Sequence, residues 1–376
     1  MRICLISSEI LGWGPAGGFG FATRSLGREL VARGIEVTAI IPRPRGVEGE
    51  RAELDGIRVL TYPRGDLAQG LALFRECRAS VFHSQEPSLG TWLAQRAHPD
   101  AAHIVTSRDP RMMHDWWLEL RYPTYSPAQV MRTAVYYENP LTRLAVRRAL
   151  QVFVPAKCLA RVVQRKYALR TVPSFLPTPI RLGEPSVKAS EPTVCYVGRL
   201  DRRKRPERAL ALAEAFPEVR FIICGVAQDK RYGDRLMARY GGLPNIEMRG
   251  FVNQFAGPEL SEVLGKSWIL INTSPREGLP NSFIEAAGHG TAILSAVDPD
   301  GFASDFGEHV NGEDYASALE RLLTGDAWRV KGARGRDYVR ATNAAAIATE
   351  RHIAVYRNLF DGRSRSAIGL APALKP

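Results

Sequence analysis

The sequence predicts an α/β protein built from two Rossmann-like domains, and three observations carry that prediction. Apolar runs along the chain are continuous rather than alternating, as parallel strands covered on both faces require. Segments with helical spacing separate them. A stretch rich in Pro, Ser and Gly, residues 172–192, then divides the runs into two series. At 376 residues the chain is long enough for two separate cores.

The first series opens with "RICLISS", a strand. The glycine-rich "GWGPAGGFG" follows, and then a helix in which Ala22, Leu26, Leu30 and Val31 share a face and Gly34 supplies the stop. "IEVTAII", "SVFHS" and "HIVTS" are the next strands. In the second series "PTVCYVG", "VRFIICG", "NIEMRGF" and "SWILINTS" are strands separated by helices. Helical patterning continues to about residue 360, and the last stretch, "DGRSRSAIGLAPALKP", has no apolar periodicity and reads as a disordered tail over 363–376. Sheets of this kind bind ligands at the carboxyl ends of their strands, and a cleft between two such domains suits an enzyme with two substrates.

Composition narrows the function classes. No apolar run reaches the roughly 18–20 residues that span a bilayer. "MRICLISSEIL" carries an early Glu9 and reads as a strand rather than a signal peptide. Cys4, Cys195 and Cys224 fall inside strand-like apolar runs, which points to buried reduced thiols and a cytoplasmic setting. A net charge of +12 and a pI near 9.7 favour anionic partners: nucleic acid, acidic lipid or a phosphorylated small molecule. Nucleic acid is the least favoured, because no aromatic platform is interleaved with the charges.

Two motifs carry chemistry. In "SPREGLPNSFIEAAGHGTAILS" Glu277 lies in a loop after a strand, Gly278 and Leu279 turn the chain, and Pro280 suits a helix start. Asn281 to Ala287 are helical in this reading, so Glu285, one turn in, reaches back toward the loop. Two carboxylates beside a helix amino end suit a ligand both hydroxylated and anionic. In "YVGRLDRRKRPERAL" a strand ends at Gly198, and Arg199 and Lys204 sit where cations can grip a diphosphate. Arg202, Arg203 and Arg205 read equally well as a solvated basic run.

Glu277 and Glu285 match the E-x7-E pattern of retaining GT-B glycosyltransferases, and "EGLPNSFIEAAGHGTAILS" with "YVGRLDRRKRPE" resembles glycosyltransferase family 4. The order of the pieces agrees over most of the chain: Gly-rich first loop, basic loop, "NIEMRGFV", then the E-x7-E loop. The resemblance implies a GT-B architecture, two Rossmann-like domains facing each other across a cleft. It implies an acceptor-side domain over residues 1–180, completed by a helix over 345–362, and a nucleotide-sugar domain over 190–344. By the same resemblance, Arg199 and Lys204 hold the diphosphate and Glu285 the ribose hydroxyls. Glu277, with the Gly278 and Leu279 amides, orients the sugar beside Pro280 and Asn281. Residues from Arg249 to Val252, Phe251 among them, line the base pocket. Gly17 and Gly18 open the first helix and meet the donor phosphates. The implied reaction retains configuration and needs no metal or other cofactor, the nucleotide sugar being a co-substrate; "DPD" at 298–300 reads as a turn.

Two departures stand out. Family members often carry a histidine where "TSRDPR" places Arg108, followed by Asp109, and an arginine cannot act as a base. Arg108, Asp109 and His83, with His114 nearby, are therefore candidates for sugar or acceptor contact. The hinge is replaced by "PTPI", 177–180. The acceptor is a glycan, a lipid-linked molecule or a small molecule. The aromatic-rich stretch 112–140 suits either sugar stacking and peripheral contact with the inner membrane face, or an inserted helical pair packing its rings inward. Two other functions stay open: an NADP-dependent oxidoreductase built on Gly12-x-Gly14-x-x-Gly17, and a non-catalytic binder of anions. The first is weakened because the second strand ends in Pro42 and Arg43, with no acid for a ribose.

Overall fold

Strand β1, Arg2–Ile6, is buried from Ile3 onward and lies at the centre of a sheet, which explains its unbroken apolar run. The computed structural model describes residues 1–183 and 186–367. Its described residues fall into two units: one of residues 1–110, 135–179 and 345 onward, the other of residues 111–134 and 180–344.

In the first unit helix α1, Gly18–Val31, leads to β2, Glu36–Pro42. Then come β3, Arg51–Leu54, and β4, Ile57–Tyr62. These two form an antiparallel hairpin whose loop residues, Asp55 and Gly56, both have positive φ (52° and 77°). That is the geometry in which a two-residue Asp-Gly loop matches strand twist. Helix α2, Leu67–Glu76, is capped by Asp66, and β5, Val81–Ser84, follows. Helix α3, Leu89–Ala97, starts in a Ser88–Thr91 capping box and leads to β6, Ala102–Thr106. Three helices come next: α4, Met113–Arg121; α5, Pro127–Tyr137; and α6, Pro140–Arg148. Strand β7, Gln151–Val154, helix α7, Leu159–Tyr167, and β8, Ser174–Phe175, complete the run. The sheet order is β3-β4-β2-β1-β5-β6-β7-β8, parallel except for β3. The stretch rich in Pro and Ser after residue 172 is thus partly structured, and beyond β8 Lys188 donates to the Ser267 carbonyl at 2.7 Å and to Thr291 Oγ1 at 2.8 Å.

The second unit begins with β9, Thr193–Val197; α8, Pro206–Ala215; β10, Arg220–Cys224; α9, Lys230–Tyr240; and β11, Ile246–Gly250. It continues with α10, Glu259–Lys266; β12, Ile269–Asn272; α11, Asn281–Gly288; and β13, Ala292–Ser295. Helix α12, Phe302–Phe306, strand β14, Gly307–His309, and helices α13, Tyr315–Leu323, and α14, Ala327–Thr342, close it. Its sheet runs β11-β10-β9-β12-β13-β14, and every pairing is parallel. Helix α15, Ala345–Ala367, belongs to the first unit and places Ile353 and Tyr356 in its core. Most of the expected tail, from residue 368, lies outside the described residues.

Each unit has its own core. The first gathers Leu5, Leu26, Ile41, Ile104 and Phe153, and the second Val194, Phe221, Ile271, Leu294 and Trp328. Trp328, 1% exposed, stacks on Trp268 with ring centroids 4.4 Å apart. The five cysteines are free thiols, four buried and Cys158 exposed. No helix is long and apolar enough to cross a membrane among the described residues.

Candidate functional site

In the second unit the two motif loops leave the carboxyl ends of β9 and β12, which are neighbours in the sheet. Gly198 follows β9, its N–H donating to the Cys224 carbonyl at 3.0 Å. Asp201, 1% exposed, then folds the loop by accepting from the Lys204 N–H at 3.0 Å. On the other loop Asn272 Oδ1 accepts from the Ser274 N–H at 3.0 Å. The loops are joined twice. Thr273 Oγ1 donates to the Lys204 carbonyl at 2.8 Å, and the Lys204 ammonium is ion-paired with the Glu277 carboxylate. Residues 73 apart in sequence thus meet at one point.

The turn after Glu277 buries Gly278, leaves Leu279 half-buried and passes into α11 with Pro280 as its cap and Asn281 as its first residue. Glu285 lies one turn in, near Gln254, whose amide stands 3.4 Å from it. Desolvation pushes the Glu285 carboxyl up to about 8. Arg199 stands 3.4 Å from Asp201. Within β11 Arg249 pairs with Glu247 and with Glu259, and just beyond the strand Phe251 is 59% exposed and Val252 is buried.

The basic run is not simply solvated. Arg202 pairs with Asp229 at 3.1 Å, Arg205 with Glu313, and Arg203 with Glu119 of α4 at 3.2 Å. The sequence marks the stretch that holds α4 by its aromatics and not by its acids, yet Asp115 of α4 also receives Arg276 Nε, next to Glu277, at 2.9 Å. "DPD" forms a turn in which Asp298 accepts from the Ala303 and Ser304 amides at 2.7 and 3.1 Å. No group of three or more His, Cys, Asp or Glu side chains that would hold a metal occurs among the described residues.

In the first unit the candidates lie in or after β1, β5 and β6, also neighbours. Gly12 and Gly14 have φ of 96° and 80°, and a Cβ on Gly12 would stand 2.3 Å from Arg24. Their spacing answers a tight turn, not a dinucleotide. Gly17 and Gly18 do open α1, but the amino end is already answered: Glu9 Oε1 accepts from the Gly17 and Gly20 amides at 2.8 and 3.0 Å. Arg108, almost fully buried, donates to Gln85 Oε1 and Thr178 Oγ1, both at 2.7 Å. Burial lowers its pKa to about 10, so it stays charged. His83 is fully buried, with Nδ1 2.7 Å from the Tyr356 hydroxyl and Nε2 2.8 Å from Thr106 Oγ1. Burial holds its pKa well below the usual range, so a neutral ring ties β5 to α15. Asp109 is half-buried; His114, on α4 and so in the second unit, is exposed beside Asp115. Glu86, missed by sequence reasoning, is 1% exposed, accepts from the Ser8 N–H at 2.7 Å and the Tyr137 hydroxyl at 3.1 Å, and is pushed by burial to about 7.

Two family models match the chain. "Glycosyl transferase 4-like domain" covers residues 17–175, and "Glycosyl transferases group 1" covers 183–322, so that together they take in most of it. Among solved structures the chain is similar to sucrose-phosphate synthase from Thermosynechococcus elongatus, with a TM-score of 0.73 and 20% identity over 96% of this chain and 99% of that one. It is similar to the pneumococcal O-GlcNAc transferase GtfA, in complex with UDP and GlcNAc (TM-score 0.69, 12% identity, 96% and 99% covered). It is also similar to Anabaena Alr3699/HepE, in complex with UDP and glucose (TM-score 0.66, 13% identity, 95% and 100% covered). No curated protein matches the sequence. The oxidoreductase and non-catalytic readings fall with these matches: the chain belongs to the GT-B glycosyltransferases of the family 4 kind, and it transfers sugar from a nucleotide sugar.

Proposed function

We propose that this enzyme transfers its sugar with retention of configuration, using the second unit's joined loops to hold the donor. The observation that carries the reading is the double tie between the loops, Thr273 to the Lys204 carbonyl and Lys204 to Glu277. It puts an ammonium, a carboxylate and a helix amino end at one place. Arg199 and Lys204 take the diphosphate, where negative charge develops as the sugar leaves, and fixed cations there stabilise the transition state. Glu285 accepts from the ribose hydroxyls. Glu277, with the Gly278 and Leu279 amides, orients the sugar; Pro280, Asn281, Phe251 and Val252 line the rest.

No side chain is assigned as general base. His83 has both ring nitrogens engaged, and Arg108 is a cation, so the leaving phosphate takes the acceptor's proton. Arg108, Asp109 and Glu86 are offered to the acceptor's hydroxyls. That acceptor is a glycan or a lipid-linked glycan reached at the inner membrane face, a reading supported by the exposed Met113 and Trp117 of α4 and by the net charge of +12. UDP, bound in two of the similar structures, is the first donor nucleotide to try. A panel of UDP-, GDP- and ADP-sugars, assayed without added metal for nucleotide release, tests the reading. Release from at least one donor, strongly reduced in Lys204→Ala, is expected; no release from any, with or without metal, contradicts it.

A further inference from the structure

Residues 111–134 leave the first unit's run of chain and pack within the second. Three of their polar contacts there reach three different loops. Glu119 meets Arg203 after β9, Tyr125 donates to Gln228 Oε1 after β10 at 3.2 Å, and Asp115 meets Arg276 after β12. Strands β10, β9 and β12 are adjacent in the sheet, so the segment rests across the carboxyl-end edge where α/β sheets bind ligands.

The charges on this segment are opposite to those of the edge. The Asp115 and Glu119 side chains are only 9% and 8% exposed, and each is held by more than one group. Asp115 also accepts from the Met112 N–H at 2.7 Å, and Glu119 from Arg111 Nε at 2.6 Å. Arg203 adjoins Lys204, and Arg276 adjoins Glu277. Two of the edge's cations thus carry carboxylates borrowed from distant sequence, 84 residues away in the case of Glu119. A diphosphate brings more negative charge than either carboxylate and makes the same kind of charge-assisted bond to a guanidinium. The two cannot hold the same guanidinium in the same way.

We propose that residues 111–134 are a strap that shields the donor edge with its own carboxylates, Asp115 and Glu119, and that nucleotide phosphates displace them from Arg276 and Arg203. The proposal rests on the donor reading above. Free of nucleotide, the edge stays charge-balanced and covered; on binding, the strap loosens, so its strength sets donor affinity and product release.

The sign of an affinity change decides the matter. UDP, GDP and ADP are titrated calorimetrically into the wild-type protein and into Asp115→Asn/Glu119→Gln, whose first substitution keeps an amide oxygen for the Met112 N–H. The double variant is expected to bind its nucleotide about tenfold more tightly, within the usual range of coupling between sites. Tyr125→Phe, which removes a neutral anchor and no charge, is expected to tighten binding about twofold, a fraction of one hydrogen bond. In the wild type, nucleotide should speed hydrogen exchange of the α4 amides. Equal or weaker binding by the double variant, or slower exchange in α4 on nucleotide binding, overturns the strap. If the wild type binds none of the three nucleotides, the donor reading itself falls.

Discussion

The two sheets end in polar edges that solve opposite problems. The second unit's edge keeps its charges paired near the surface: Lys204 with Glu277, Arg199 with Asp201, Arg276 with Asp115. The first unit's edge buries its charges and weakens them, with Glu86 raised to about 7 and His83 held neutral. An edge of paired, half-exposed cations can exchange one anion for another at small cost. An edge of desolvated groups has little to offer an anion but suits hydroxyls, which both donate and accept. That contrast is what the proposed roles rest on, a donor phosphate at the second unit's edge and a hydroxylated acceptor at the first's.

The sharpest break is expected at the second edge. Lys204→Ala removes the ammonium that pairs with Glu277 and one of the two cations assigned to the leaving phosphate, and kcat should fall about 10²–10³-fold, as when one transition-state donor is removed. Steady-state kinetics checks this; a change confined to KM would mean that the ammonium only binds. Next comes Glu285. Its carboxyl sits at about 8 in the free protein, and hydroxyl donors favour the ionised form, so binding lowers its pKa and expels a proton. Nucleotide affinity therefore rises with pH up to about 8, by at most about tenfold per unit, since one proton is exchanged. In Glu285→Gln that slope disappears, and binding at pH 8.5 is about tenfold weaker, the difference between a charged and a neutral hydrogen bond. Titrations in buffers of different ionisation heat read the proton directly.

At the first edge the effects move from rate to stability. Glu86 has a folded pKa above its unfolded one, so its contribution is full at low pH and is lost as pH rises from about 4.5 to about 7. Over that window the wild type should lose on the order of 2–3 kcal/mol from this group. Glu86→Gln should flatten the curve in urea melts at several pH values. The smallest effect on catalysis belongs to His83. His83→Gln breaks its links to Tyr356 and Thr106 and should cost about 1–3 kcal/mol of stability, while the pH dependence of kcat keeps its shape. A lost inflection near neutral pH would make His83 a proton carrier after all.

What the sequence discloses about this molecule is what is local. The continuous apolar strands, Pro280 at the start of α11 and the placing of Glu285 one turn in all follow from spacing, and all appear in the structure. The β3–β4 hairpin carries a local mark as well, Asp55-Gly56 between two strand-like runs. Other features carry none. Glu86 looks like any polar residue after a strand, and only folding around it removes its water. Glu9 caps a helix that begins nine residues later, beyond the reach of a capping box. Asp115 and Glu119 find their arginines only through tertiary contact, and in the sequence they are two acids in an aromatic stretch. The Gly12–Gly17 spacing misleads for the opposite reason, since tight turns produce it without any ligand.

The central proposal is a nucleotide sugar held by the second unit's loops. Calorimetric titration with UDP-, GDP- and ADP-sugars, and with NADPH as a control, tests this most directly in the wild type, Arg199→Ala and Glu285→Ala. The account predicts that one class of nucleotide sugar binds, that both substitutions weaken it, and that NADPH gives no response. Tight NADPH binding with no response to any nucleotide sugar, or donor binding indifferent to both substitutions, would contradict it.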